Sequence, residues 1–280
     1  MGVKMNIGII IQARTGSNRL PKKVLNKLPI NSEITVLEQV IRRVKCSLKT
    51  NEIIIATTES SEDDEIINIA KKENVKYFRG SSSDVLSRYY YAAKENKIDI
   101  IVRITSDCPC VDFQIIDYLI EELIKLNLDY VSNALENSYP KGLDVEVFKF
   151  ETLYETFLNG QTSYEKEHVT PYMSDSKKFK IKNIKANIKL HRPEIRITLD
   201  TYEDYMLICA VYDYLYNENI FFKAMDIVDL FDKKPWLNLI NNEIIQKPDY
   251  NSLEEEIAQA SRILDCFDLK RAKIFLKNKI

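Results

Sequence analysis

The sequence predicts an α/β protein whose sheet is mixed, mainly parallel and flanked by helices. Short β-branched runs alternate with segments of helical periodicity over residues 1–217, and this alternation is typical of strand–helix–strand units. Apolar residues make up 45% of the 280 residues and charged residues 29%, which excludes a disordered or fibrous chain. No internal repeat is visible, so repeat architectures are excluded as well.

The first half of the chain is predicted to contain four strands, each followed by a helix. Residues 7–11 form a β-branched run that suits a strand buried on both faces of a parallel sheet. From Thr35 the apolar residues follow helical spacing, and the alternation then repeats. The predicted strands are 7–11, 53–57, 76–78 and 99–104, and the predicted helices begin at Thr35 and cover 63–73, 84–96 and 113–126.

The alternation continues less regularly and then stops. Further strands are predicted at 130–133, 145–148 and 196–199, with helices at 150–158 and 202–216. We therefore expect a catalytic domain over residues 1–217 and a mostly helical extension over 218–280. Turn-forming segments at 232–236 and 247–249 interrupt the extension. Its last helix, 253–280, carries an apolar stripe that we expect to pack on the catalytic domain or a second subunit.

The charge balance excludes several kinds of partner. Forty Lys and Arg residues against 42 Asp and Glu residues give a net charge of −2, whereas proteins that bind nucleic acid or anionic membranes non-specifically usually carry a basic excess. No apolar run approaches the ~18 residues that span a bilayer. We therefore expect neither nucleic acid nor membrane as a partner, and no signal peptide.

The cysteines favour a cytoplasmic protein without a disulfide framework. There are five, an odd number, and they are scattered along the chain, which is typical of a reducing compartment. Cys108 and Cys110 form a C-x-C pair, but no second pair stands at zinc-site spacing. Two small, half-buried residues are therefore the favoured interpretation of this pair.

The first strand leads into a polar loop that contains four cations and one glycine. Gly16 lets the backbone approach a ligand, and the successive amides of residues 15–18 can form a concavity that binds anions. Open α/β sheets bind ligands at the carboxyl ends of their strands, which favours phosphate binding over a solvated basic loop. The Walker and dinucleotide fingerprints are absent. We expect Arg14 and Lys23 to contact the β and γ phosphates of a nucleotide.

Residues 13–23 (ARTGSNRLPKK) resemble the signature loop of the cytidylyltransferases that activate acidic sugars. These are the CMP-sialate and CMP-Kdo synthetases and, most closely, the spore coat polysaccharide biosynthesis protein F type. Later motifs match in order: GSSSDVLSRY at 80–89, VRITSDCPCV at 102–111, PKGLDVEV at 140–147, EHVTPY at 167–172 and RITLDTYED at 196–204. Five ordered matches are far more specific than one loop. Lys22 stands where the family usually has glycine, and Cys110 where it usually has leucine.

Two aspartates at the ends of predicted strands indicate a magnesium site. Asp107 follows the strand 99–104, and Asp200 follows the strand 196–199, so both should lie at the same edge of the sheet as the loop. Magnesium that is bound to a nucleoside triphosphate takes only one or two protein carboxylates. The resemblance assigns Mg²⁺ to the same two residues. The alternative for Asp200 is that it caps the following helix.

The resemblance implies roles for further residues in the matched motifs. It places CTP against Gln12, Ala13, Arg14, Thr15, Gly16, Ser17, Lys23, Asp84, Arg88 and Ser106, with the base near 84–88. The acceptor is expected to contact Arg103, Lys141, Asp144, Glu146 and His168. A cation could bind the carboxylate of the acceptor, although Arg103 could instead pair with a carboxylate of the protein. Asp144 and Glu146 flank Val145 in a strand of which only one face can reach the site.

The resemblance implies a GT-A-like, Rossmann-like catalytic domain that transfers CMP from CTP to an acidic sugar. Arg14, Lys23, Asp107 and Asp200 would carry the reaction by positioning and neutralising charge. Three other functions stay open at this stage. They are transfer to a sugar phosphate or polyol phosphate, transfer of a sugar from a nucleotide sugar on the same fold, and a regulatory nucleotide-binding module. A homodimer is compatible with each of them.

Overall fold

The computed structural model describes residues 5–217, 219–244 and 252–277. Its contacts divide the chain into two compact units, Met1–Asn241 and Asn242–Ile280. The first unit extends beyond the boundary expected after Asn217, because Phe222, Ile227 and Phe231 are buried in its core. The turn-forming segment expected at 247–249 and the last three residues of the chain lie outside the described residues.

The first unit contains one seven-stranded sheet. Its strands are β1 Ile7–Gln12, β2 Glu52–Thr58, β3 Lys76–Gly80, β4 Ile100–Thr105, β5 Tyr130–Ser132, β6 Glu146–Lys149 and β7 Ile181–Asn183. They lie in the order β3-β2-β1-β4-β6-β5-β7. The pairs β1–β2, β1–β4, β2–β3 and β5–β7 are parallel, and the two pairs that involve β6 are antiparallel. The sheet is therefore mixed and mainly parallel, as predicted.

Helices cover both faces of this sheet and explain why β1 is apolar on both sides. Ile9 and Ile11 pack in one buried cluster and Ile10 in another, because successive side chains of a strand point to opposite faces. The helices of the first unit are α1 Val36–Val44, α2 Asp64–Lys72, α3 Val85–Glu95, α4 Phe113–Lys125, α5 Phe150–Asn159, α6 Ser163–His168, α7 Pro171–Asp175, α8 Tyr202–Leu215 and α9 Ala224–Lys233.

The register places the ends of two strands side by side. Gln12, the last residue of β1, lies opposite Ala56 of β2 and Thr105 of β4. The loop that follows β1 and the turn that follows β4 therefore leave the sheet at the same edge. This is the edge at which parallel α/β sheets bind ligands.

The prediction of a strand at 196–199 is wrong. This segment forms only an isolated bridge between Lys141 and Arg196, because its backbone bonds to loops and not to a neighbouring strand. The amide of Ile197 donates to the carbonyl of Lys141, and the amide of Leu199 donates to the carbonyl of Asp107, both at 2.8 Å. The segment still carries Asp200 to the sheet edge.

Short elements were the ones that the sequence did not indicate. Helices α6 and α7 and strand β7 were not predicted, since three to six residues give too little periodicity. Helix α9 lies in the region that was predicted only as mostly helical. Cys108 and Cys110 are fully buried and not half-buried, and burial raises the pKa of the Cys110 thiol to about 12. Neither cysteine therefore offers a thiolate for a metal.

The second unit contains two helices where one was expected. They are α10 Leu253–Cys266 and α11 Lys270–Lys277. Asp268, between them, has a φ of 53°, which helical backbone does not adopt. The side chain of Ser252 accepts a hydrogen bond from the amide of Glu255 and caps α10. Ile263, Phe267 and Ile274 are exposed.

Candidate active site

The loop after β1 is fixed by a buried aspartate. Both the amide and the hydroxyl of Thr15 donate to Asp63 Oδ1 at 2.7 Å, and the hydroxyl of Thr58 donates to the other carboxylate oxygen. Burial would raise the pKa of Asp63, but the hydrogen bonds from Thr58 and Thr15 outweigh it and lower this pKa. Asp63 therefore holds the loop as a charged carboxylate.

This anchoring leaves a smaller anion-binding concavity than the sequence suggested. The Thr15 amide is used by Asp63, and the Ser17 amide donates to the carbonyl of Thr15 at 3.0 Å. Within the described structure, the amides of Gly16 and Asn18 have no acceptor. A Cβ atom on Gly16 would meet no atom within 4 Å, so the fold itself does not require glycine there.

Lys23 lies between the two aspartates that were assigned to magnesium. Its Nζ donates to Asp107 Oδ2 at 2.8 Å, to Asp200 Oδ1 at 2.9 Å and to the carbonyl of Leu199 at 2.8 Å. Burial lowers the pKa of Lys23, but the two carboxylates outweigh burial and raise it overall. The ammonium is therefore charged, and here it contacts carboxylates instead of facing the loop as a free phosphate ligand.

Asp200 is surrounded by positive charge. Besides Lys23, it contacts Arg196 Nη2 at 2.8 Å and Arg19 Nη2 at 3.3 Å. Burial opposes ionisation, but Lys23 and the two arginines lower the pKa of Asp200 to about 2. The helix cap is Thr201 and not Asp200, so the alternative role of Asp200 as a cap is excluded.

The buried carboxylate of Asp204 supports the position of Asp200 through Arg196. Asp204 is fully buried and accepts hydrogen bonds from Arg196 Nε and Nη2, both at 2.9 Å. Arg196 in turn contacts Asp200. This support could not be predicted from the sequence, because an acidic residue in the first turn of a helix is normally explained by the helix dipole.

Arg88 is a buried cation without a partner. Its side chain extends from α3, the residue is 2% exposed, and its Nε and Nη1 have no hydrogen-bond acceptor among the described residues. Burial lowers its pKa, and the positive charge of Arg14 adds to this effect. Asp84, which was expected to contact the nucleotide, uses Oδ1 to accept from the amide of Ser87 at 2.8 Å. It caps α3, and its charge and that of Asp63 only partly offset the effect of burial on Arg88.

A cavity of about 400 Å³ lies next to these residues and contains most of the side chains expected to bind the acceptor. It is lined by Arg103, Asp144, Glu146 and His168, together with residues of β5, α6 and α7. Arg103 forms an ion pair with Glu146, so for this residue the alternative, pairing with a carboxylate of the protein, is the one observed. Burial raises the pKa of Asp144 to about 6, and the charges of Glu146 and Asp107 add to the shift.

The other residues that were expected to bind the nucleotide or the acceptor lie around this cavity and the loop after β1. Gln12, Ala13 and Ser106 lie at the ends of β1 and β4, where the amide of Ser106 donates to the carbonyl of Gln12 at 3.2 Å. Lys141 is close enough to Asp144 and Asp200 to feel their charges, but it does not line the cavity. Arg14 is half-exposed and lies 3.7 Å from Glu167.

Comparisons with known proteins show the family to which the chain belongs. Residues 8–227 match the family model described as cytidylyltransferase. The chain is 40% identical over 252 residues to an uncharacterised protein of Methanocaldococcus jannaschii, covering 90% of this chain and 100% of that one. It is 30% identical over 235 residues to the spore coat polysaccharide biosynthesis protein SpsF of Bacillus subtilis, covering 82% and 95%.

Solved structures show the same fold. A cytidylyltransferase from Leptospira borgpetersenii is 33% identical and superposes with a TM-score of 0.79, covering 87% of this chain and 100% of that one. A CMP-Kdo synthetase in complex with CTP is 13% identical, with a TM-score of 0.56 and coverage of 74% and 98%. At this low identity the second likeness concerns the fold alone.

The fold and the family match together define a nucleotidyltransferase. More narrowly, the chain belongs to the cytidylyltransferase family, as the motifs of the sequence indicated. Within the described residues, no helix has both the length and the apolar character needed to cross a membrane.

Proposed function

We propose that this enzyme transfers CMP from CTP to an acidic sugar for the synthesis of a surface polysaccharide or glycan. The observation that carries the proposal is the contact of Lys23 with Asp107 and Asp200 beside the loop of residues 12–23. The similarity to SpsF, whose name refers to spore coat polysaccharide biosynthesis, supports an acceptor of the sugar type.

The two aspartates fit a magnesium ion. Two carboxylates and one carbonyl already surround a single positive charge, the Lys23 ammonium, and oxygen atoms are the ligands that Mg²⁺ prefers. Asp107 and Asp200 would hold the ion. When bound, Mg²⁺ would neutralise charge on the phosphates of the nucleotide.

The reaction needs little covalent participation by the protein. A hydroxyl oxygen of the acceptor forms a bond to the α-phosphorus of CTP, the bond from that phosphorus to the β-phosphate oxygen breaks, and pyrophosphate leaves while the hydroxyl loses its proton. Positioning and electrostatic stabilisation dominate such phosphoryl-type transfers. The amides of Gly16 and Asn18 and the side chain of Arg14 are available for the β and γ phosphates.

Arg88 is the residue we assign to the cytosine end of CTP. Its Nε and Nη1 donors are buried and have no acceptor among the described residues, and O2 or N3 of cytosine could accept a hydrogen bond from one of them. Binding there would satisfy donors that otherwise remain without partners, and such donors cost free energy when left unpaired.

A pyrophosphate-release assay tests the proposal directly. The purified enzyme is given each of four nucleoside triphosphates with a panel of acidic sugars, sugar phosphates and polyol phosphates, at fixed Mg²⁺. We expect release only with CTP and an acidic sugar. As a matched control, Asp229→Asn removes an exposed carboxylate of α9, outside the site, and should keep the parental rate. Equal rates with other nucleotides, or release that needs no acceptor, would contradict the proposal.

A further inference from the structure

The cavity beside the catalytic residues has a composition that restricts the acceptor further, provided that the proposed transfer of CMP is correct. It is lined by Thr105 at the end of β4, two residues before Asp107. Asp144, in the same cavity, is close enough to Asp107 to feel its charge. We therefore place the acceptor in this cavity.

The charges in the cavity are mostly negative. Three carboxylates line it, those of Asp144, Glu146 and Asp175, against one guanidinium, that of Arg103. Arg103 is paired with Glu146. Over the described residues, neither Asp144 nor Asp175 takes part in a salt bridge, although the charge of Lys141 acts on Asp144. A purely anionic acceptor would meet net repulsion here.

Further hydrogen bonds hold the ion pair of Arg103 and Glu146 in a fixed orientation towards the cavity. Besides Arg103, Glu146 accepts hydrogen bonds from the hydroxyls of Tyr130 and Thr170, at 2.5 and 2.7 Å. The residue before Thr170, Val169, has φ 72° and ψ −51°, and the Thr170 amide donates to the His168 carbonyl at 2.8 Å. This is a γ-turn of the strained kind, here at a fully buried valine. Strained backbone tends to persist at functional sites.

Arg103 is the cation of the cavity. Its Nε is buried and has no acceptor among the described residues, so the protein leaves part of this guanidinium unpaired. The cavity thus combines one guanidinium with two carboxylates that form no salt bridge, which is complementary to a molecule that carries both charges.

We propose that the acceptor is an acidic sugar with a free, protonated amine, bound with its amine towards Asp144 and Asp175. The acidic group would lie against Arg103. Burial without an ion pair is costly for the carboxylate of Asp144, and an ammonium group would compensate it; Asp175 is exposed at the cavity. Burial raises the pKa of Asp144, and the charges of Glu146 and Asp107 add to the shift.

The test uses acceptors in matched sets of three. Each set shares one acidic sugar and carries at one position a free amine, the N-acetylated amine or a hydroxyl; the hydroxyl member controls for the bulk of the acetyl group. Pyrophosphate release gives kcat/KM for each member. We expect the amine to exceed both counterparts by about tenfold, as one favourable charge contact predicts. Asp144→Asn should remove most of this preference, whereas Asp229→Asn should retain it.

Binding measurements separate failure of this inference from failure of the proposed function. Calorimetry first establishes that the parent and Asp144→Asn bind CTP, which also shows that the variant is folded. If CTP binds and the hydroxyl or N-acetyl members react as well as the amines, the amine inference is wrong and the transferase proposal stands. The amine inference also fails if CTP binds and no amine binds to the CTP-loaded enzyme. If CTP does not bind, both proposals are wrong.

Discussion

Replacing Arg88 by methionine should stabilise the protein and weaken CTP binding at the same time. The structure leaves two buried donors of Arg88, Nε and Nη1, without acceptors, and each such group costs about 1–3 kcal/mol. Methionine keeps most of the apolar stem, so after some lost packing we expect a net gain of about 2 kcal/mol in the free energy of unfolding. For a unit of this size that corresponds to a rise in Tm of about 4–8 °C.

The same substitution removes the proposed hydrogen bond from a charged donor to the base. Such a bond contributes about 1.5–3 kcal/mol, so its loss would raise the Kd for CTP about 10- to 100-fold. Thermal unfolding followed by circular dichroism gives the first quantity, and isothermal titration with CTP gives the second. A variant that was less stable and bound CTP normally would refute the reasoning, since Arg88 would then be a packing residue.

Arg43 provides the matched control. It is as buried as Arg88, at 1% exposure, but its guanidinium donates to the carbonyls of Val111, Cys110 and Phe222. Arg43→Met would leave these carbonyls unsatisfied. It should therefore lower the free energy of unfolding by about 2–4 kcal/mol and leave the Kd for CTP unchanged.

Three further predictions concern the same edge of the sheet. Asp107→Asn and Asp200→Asn should each lower kcat by ~10²-fold or more through lost positioning of the α-phosphate; near-parental pyrophosphate release at saturating Mg²⁺ would contradict this. Asp144 has a folded pKa of about 6, above the unfolded value of 3.8, so its ionised form disfavours folding above pH 6. Asp144→Asn should thus stabilise the protein by ~2 kcal/mol at pH 7.5 and by progressively less as the pH falls from 6 to 4 in urea titrations. Lys22 has a φ of 55°, so Lys22→Val should destabilise by about 1–2 kcal/mol more than Lys22→Gly in the same assay.

The main strands and helices of the catalytic unit could be predicted from hydrophobic periodicity because they are long and buried. The helix 84–96, for example, corresponds to α3 with Asp84 as its cap. The segment 196–199 shows the limit of this reasoning. Its alternating apolar residues are buried, but periodicity reports burial and not which backbone accepts the hydrogen bonds.

For the site, the sequence predicted which residues lie together, but not which of them form hydrogen bonds or ion pairs with each other. Asp107, Asp200 and Lys23 were predicted to lie at one edge, and they do. That Lys23 contacts both carboxylates could not be predicted, because the three residues are far apart in sequence. Asp63 and Arg196 were missed for the same reason. Their roles arise from contacts between the loop after β1, the start of α2 and the start of α8.

The hydrogen bonding of the buried arginines distinguishes Arg88, at the candidate site, from the other buried arginines of the first unit. The guanidinium groups of Arg43, Arg103 and Arg196 are largely buried, and each donates to oxygen atoms of the protein. Arg88 alone among these four has no such bond within the described structure. A fold selected for stability alone would replace such a cation with an apolar residue. An acceptor from outside the chain would offset this cost, and that is the role we propose for the base of CTP.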